Sequence, residues 1–166
     1  KELMDLREPL IITVTSGAMG LGCNGIHWID FALHLTGQTS GKMLFGEIDE
    51  LPIGSGRGTQ FRDYGGRGLF SFPDGSRLFL SSTSASSAAS VFSIITKNQH
   101  WAVDQDAGKA IIQRQDKSLN HPNYLYGKDY SVEISEELER IDLISHTRKF
   151  ISNLKNGKET GFPTLE

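Results

Sequence analysis

The sequence has 166 residues, a formal net charge of −3 and a pI near 6.0, with 37% hydrophobic and 22% charged residues. That length predicts one domain with a sizeable core, and the 17 basic residues form no block that would hold nucleic acid or an anionic membrane. No apolar run approaches the roughly 18 residues of a membrane span, and the single cysteine, Cys23, rules out a disulfide framework and fits a reducing, cytoplasmic setting.

Both ends, KELMDLREPL and GFPTLE, read as cuts, so the expectation is one part of a longer polypeptide. Residues 9–15, PLIITVT, alternate and are rich in β-branched side chains, which predicts a strand. The glycine-rich SGAMGLG follows, and then a helix over Cys23–Thr36 that stops at Gly37. Apolar residues wrap most of this helix, so it packs between other elements, with Trp28 in the core.

From Lys42 the pattern changes to short strands. KMLFGEIDEL is one, and GLFSF and RLFLS form a hairpin through Pro73-Asp74-Gly75-Ser76. SVFSIITK, HWAVDQ and KAIIQRQ continue as an antiparallel meander, with turns at Asn98 and at 106–108. Between hairpin and meander, SSTSASSAAS reads as the end of one strand and the start of the next. A second helix is predicted from Ser135 as its cap to a stop at Asn156-Gly157, with Leu138, Ile141, Ile144, Ile151 and Leu154 as its apolar stripe. Strands segregate from helices, which predicts an α+β domain: one largely antiparallel sheet covered on one face.

The strand–glycine–helix order of IITVTSGAMGLG imitates a dinucleotide site. Its glycines fall as GxxGxG rather than GxGxxG, and no alternating β and α units follow, so no cofactor loop is assigned to this chain. On the helix, Cys23, His27, Asp30 and His34 are spaced i, i+4, i+7 and i+11 and share one side. His27 and His34 are roughly 10 Å apart along the axis, too far to share a metal ion easily. His27 is therefore either a hydrogen-bonded packing residue or a proton acceptor facing a cleft, with Asp30 fixing its tautomer. Gln60, Arg62 and Tyr64 fall in a polar loop, as do His121-Pro122-Asn123-Tyr124. Both loops can be read as closing over a sugar or as plain solvated surface.

The stretch GLGCNGIHWIDFALHLTG resembles the segment that opens the second domain of the Gfo/Idh/MocA family of oxidoreductases. Gly25, His27, Asp30 and Gly37 match the family positions, GLFSFPDGSRLFL is similar to its later hairpin, and FPTLE to its tail. The resemblance implies an open, mostly antiparallel mixed sheet with helices on one face. It implies that residues 1–166 are a single C-terminal substrate-binding and dimerisation domain, without the N-terminal dinucleotide-binding domain. His27 would be catalytic, with Cys23, Asn24, Asp30, Arg62 and Tyr64 binding a sugar, sugar nucleotide or cyclitol. NAD or NADP would be bound by the other domain, and the chain would be inactive alone. A homodimer would form through the exposed sheet face, on which Trp101 is placed. The family's catalytic aspartate, four residues before the histidine, is Cys23 here, and a neutral thiol cannot orient the imidazole as a carboxylate does. That departure also admits an inactive relative serving as a binding or assembly module.

Overall fold

The computed structural model describes residues 8–54, 58, 60–116, 131–137, 148, 151–153 and 155–156. Among these residues eight strands form one sheet: β1 (Ile11–Ser16), β2 (Lys42–Gly54), β3 (Arg62–Ser71), β4 (Arg77–Ser82), β5 (Val91–Ile95), β6 (Gln99–Asp104), β7 (Lys109–Gln115) and β8 (Ser131–Glu137). Their spatial order is β2-β3-β4-β1-β5-β6-β7-β8, and the sheet is mixed: β1 and β4 run parallel, and every other neighbouring pair is antiparallel. Between β1 and β2 lie a π-helical turn, Leu21–Gly25, and the helix α1, Ile26–Thr36.

The core follows from the period-two alternation of β1. Ile12 and Val14 point to one face and are buried with Leu10, Leu78, Leu80, Phe72 and Ala32. Trp28, Ile29, Leu33 and Leu35 of α1 pack onto that cluster, and each fully buried aliphatic side chain contributes about 1.5–3 kcal/mol. Gly37 stops α1 as its sequence predicts. It adopts φ 66°, its N–H bonds the His34 carbonyl, and the Gln38 N–H reaches back to Leu33 at 3.0 Å. The β3–β4 turn also follows its chemistry, with Gly75 at φ 92° and the Asp74 carboxylate accepting from the Ser76 N–H and hydroxyl.

The opposite face carries Phe45, Leu69, Phe79, Thr13, Ser93, Ala102, Ile111 and Ser135 in register across all eight strands. Phe45 is 52% exposed and Phe79 and Ile111 are 44% and 45% exposed, so no described element covers this row. Trp101 is not on it. Trp101 pairs with Ile94 and Ile112, both buried on the α1 side, and the buried Val103 two residues on fixes the same parity. Ala102 is the residue that faces outward.

Three other expectations change. Arg62 and Tyr64 open β3 rather than sit in a loop, because β2 runs on to Gly54 and pairs with them. Ser135 lies in β8 opposite Ile111 and caps no helix. Val132 and Ile134 alternate with polar neighbours, and ladder bonds to β7 outweigh the local capping signal. Ser81 and Ser82 do end β4, but β5 begins only at Val91, so the rest of the serine-rich stretch is a connection between strands. Helical residues are found later, at Arg148, 151–153 and Lys155, and the Asn156 N–H closes onto Ser152 and Asn153. Leu138, Ile141, Ile144, Leu154, Gly157, the His121–Tyr124 stretch and the FPTLE tail lie outside the described residues.

Ser76 ties the β3–β4 turn to the start of the sheet: its fully buried hydroxyl accepts the Leu10 N–H at 2.8 Å and donates to Asp74 at 2.7 Å. Ser76→Ala strands that buried N–H and is expected to cost about 1–3 kcal/mol. Chemical denaturation checks this, read as a lower midpoint at an unchanged slope.

Candidate active site

β1 ends at Ser16 and the chain turns through Gly17-Ala18-Met19-Gly20 into the π turn. Gly17 is required there by close approach. Its N–H bonds the Ala88 carbonyl at 2.9 Å, the next N–H, of Ala18, bonds Ser86 at 2.6 Å, and a Cβ on Gly17 would fall 2.5 Å from the Ala88 nitrogen. The buried Ser82 hydroxyl lies 2.7 Å from both the Gly17 and Met19 carbonyls and donates its single proton between them. The Ser16 and Ser90 hydroxyls are 2.8 Å apart. The connection from 83 to 90 is thus stitched to the glycine turn by backbone bonds.

The π turn is anchored from β3. One Asp63 oxygen accepts the Gly22 N–H at 3.0 Å and the other accepts the Cys23 N–H at 2.9 Å. Gly20 has no room for a side chain, because its Cβ would run into that carboxylate. A carboxylate at the first N–H groups of a helix is both hydrogen-bonded and favourably placed in the helix field. Extra residues in a helix turn of this kind recur where a side chain must be re-aimed.

An open cleft of about 580 Å³ results, lined by Ser16, Ala18, Met19, Asn24, His27, Trp28, Ser87–Ser90, Gln105 and Asp106. The His27 imidazole is exposed to it, and among the described residues no hydrogen bond joins His27 to Asp30. Trp28 forms one border. Its indole N–H points to the Met19 sulfur at 3.2 Å and its rings pack against Phe31 and Phe92 at 5.8 and 5.2 Å. With serine hydroxyls, two amides and one carboxylate around an imidazole, the cleft is equipped to hydrogen-bond a polyhydroxylated molecule and to accept one proton from it.

Of the residues singled out in the sequence, Asn24 and His27 line this cleft. Cys23 is half-buried and held by its backbone, Asp30 is exposed on α1 outside the cleft lining, and Arg62 and Tyr64 flank the anchor Asp63 on β3 without lining the cleft. Sequence reasoning missed Asp63, Ser82 and the 87–90 wall. The small residues of SSTSASSAAS were the available signal, since only small side chains allow that backbone contact. Among the described residues no group of three His, Cys, Asp or Glu side chains is placed to hold a metal ion. The glycine turn does not fit a dinucleotide phosphate either: the N–H groups of Gly17, Ala18, Gly22 and Cys23 are already bonded within the protein.

No protein-family model matches the chain, and no curated protein sequence matches it significantly. Solved structures do. UDP-N-acetylglucosamine 3-dehydrogenase GnnA from Acidithiobacillus ferrooxidans superposes with a TM-score of 0.59 at 15% identity, over 91% of this chain and 48% of its own. A candidate NADPH-dependent oxidoreductase from Desulfitobacterium hafniense gives 0.61 at 14% identity, over 95% and 50%. The dehydrogenase MviM from Clostridium difficile gives 0.57 at 11% identity, over 91% and 48%. The fold is therefore one used by dehydrogenases. The chain shares their α+β fold and spans about half the length of the proteins it matches.

Gly17→Ala forces a methyl group into the backbone of residues 86–88. It is expected to destabilise the fold by about 1–3 kcal/mol. Thermal unfolding of the variant beside the parent measures it.

Proposed function

We propose that this chain is the C-terminal, substrate-binding and dimerisation domain of an NAD(P)-dependent oxidoreductase acting on a sugar, sugar nucleotide or cyclitol. A separate N-terminal domain holds NAD or NADP. The observation that carries the reading is His27, exposed to a polar cleft at the point where β1 leads into α1. In this reading Asn24 and the Ser87 and Ser90 hydroxyls hold the substrate ring, and His27 accepts the proton of the hydroxyl being oxidised. The exposed imidazole is free to exchange that proton with water afterwards. Cys23, Asp30, Arg62 and Tyr64 are the remaining substrate-binding candidates, placed around the π turn and its β3 anchor. The protein works in the cytoplasm, consistent with its lone half-buried thiol; no described helix is long and apolar enough to cross a membrane.

In the complete oxidoreductase, His27→Ala is expected to lower kcat by about 10²–10⁴-fold while far-UV circular dichroism stays unchanged. Unaltered turnover would remove His27 from the mechanism. A second reading, an inactive binding or assembly module, is favoured by Cys23 at the position of the family acid. It gains if no sugar, sugar nucleotide or cyclitol supports reduction of either nicotinamide cofactor.

The partner for the uncovered sheet face is a second copy of the protein. The face carries exposed apolar side chains, Phe45, Phe79 and Ile111 among them, and such patches mark association surfaces. Phe79→Glu, on this face of β4, is expected to convert dimer to monomer in sedimentation analysis. A variant that sediments like the parent would place the interface elsewhere.

A further inference from the structure

Two carboxylates of the β2–β3 arm reach the two walls of the cleft without lining it. Asp63 holds the Gly22 and Cys23 N–H groups of the π turn. Asp49 accepts the Ser84 N–H at 3.1 Å, at the start of the connection whose later residues, 87–90, form the other wall. Each contact is served by a glycine that leaves it space: Gly20 beneath Asp63, and Gly65, whose Cβ would lie 2.5 Å from the Asp49 carboxylate. Asp49 escapes the ladder because β2 is bulged. Ile48 faces Gly66 and Pro52 faces Tyr64, so β2 holds two more residues than β3 over that stretch. Gly66, opposite the bulge, has φ 149° and no room for a Cβ against the Glu47 carbonyl. Nothing in the local sequence requires this arrangement; it is an arm shaped to deliver two anions to two loops.

We propose that Asp63 is a positioning residue for His27 and Asn24, and that Asp49 positions the Ser87–Ser90 wall, so that the β2–β3 arm sets the width and aim of the cleft. The proposal rests on the reading of His27 as proton acceptor. The physical link is the π turn. The Gly25 N–H bonds the Gly20 carbonyl at 3.2 Å, which closes a wider turn than an α-helix has, so relaxing it to α geometry rotates Asn24 relative to His27 around the axis. Two charge-assisted bonds from one carboxylate hold the first turn in place. An amide cannot replace both, since its NH₂ would confront one of the two N–H donors.

The test uses the complete oxidoreductase with Asp63→Ala, Asp63→Asn, His27→Gln and the Asp63→Ala/His27→Gln double variant. Asp63→Ala is expected to lower kcat by about ten- to a hundredfold through misplacement, at a temperature where circular dichroism shows a native fold. Asp63→Asn falls between Asp63→Ala and the parent, and serves alone if the alanine variant does not fold. In the His27→Gln background, Asp63→Ala should add little further loss, since both changes act through the same imidazole. Asp49→Ala should raise KM with kcat nearly unchanged. A parent-like kcat for Asp63→Ala, or a fully additive loss in the double variant, overturns the Asp63 assignment; an unchanged KM for Asp49→Ala overturns the other. If His27→Gln leaves turnover intact, the proton-acceptor reading is what has failed. Asp63 is then judged by the reaction rate of the Cys23 thiol with 5,5′-dithiobis(2-nitrobenzoate). Asp63→Ala should raise that rate several-fold as the turn loosens, and an unchanged rate sinks the anchoring claim.

Discussion

β1 is hydrogen-bonded along both edges, in parallel to β4 and antiparallel to β5, and its inner side chains are buried under α1. A parallel neighbour cannot be reached by a hairpin, so the chain must leave β1, cross the face and return. The crossing segment is the glycine turn, the π turn and α1, followed by the β2–β3 arm. That is why a helix carrying an imidazole begins directly above the carboxyl end of the central strand. The parallel pair also opens the gap beyond Ser16 and Ser82 into which the 83–90 connection is stitched. Cleft, arm and covered face are all consequences of how β1 is paired.

The site is built mainly by satisfying backbone groups. The glycine turn gives its N–H groups to the 86–88 carbonyls, and the π turn gives its own to Asp63. Little backbone remains for a phosphate, so recognition falls to side chains: hydroxyls, amides and one imidazole. Among the described residues, the exposed ion pairs Arg67–Glu47 and Lys97–Glu8 lie outside the cleft and contribute little to stability at the surface. The described chain thus separates a polar cleft on one side of the sheet from an exposed, largely apolar surface on the other.

Much of this was legible locally. The Pro73–Ser76 turn, the turns around Asn98 and Gly108, and the Gly37 stop are written in residue types whose backbone preferences decide the conformation unaided. The α+β class and the helix bearing His27 follow from periodicity. What was not legible is nonlocal. Ser135-Glu136-Glu137 reads equally as a helix start and as polar positions of a strand, and only the presence of β7 decides. Asp63 carries no signature as an anchor, because its partners lie 40 residues away. Trp101 faces the other way from its expected side because one residue of parity separates inside from outside in a strand, and its cross-strand partners Ile94 and Ile112 decide the side.

The bonds that close the cleft span long stretches of chain: 40 residues from Asp63 to Cys23, 65 from Ser82 to Gly17 and 74 from Ser90 to Ser16. α1 is made before its anchor, its facing wall and the β4 part of its floor, which all come from segments translated after it. With synthesis running at about 5–20 residues per second, the helix waits several seconds for them, its apolar residues without a sheet to cover. Such high contact order slows the final closure of the cleft.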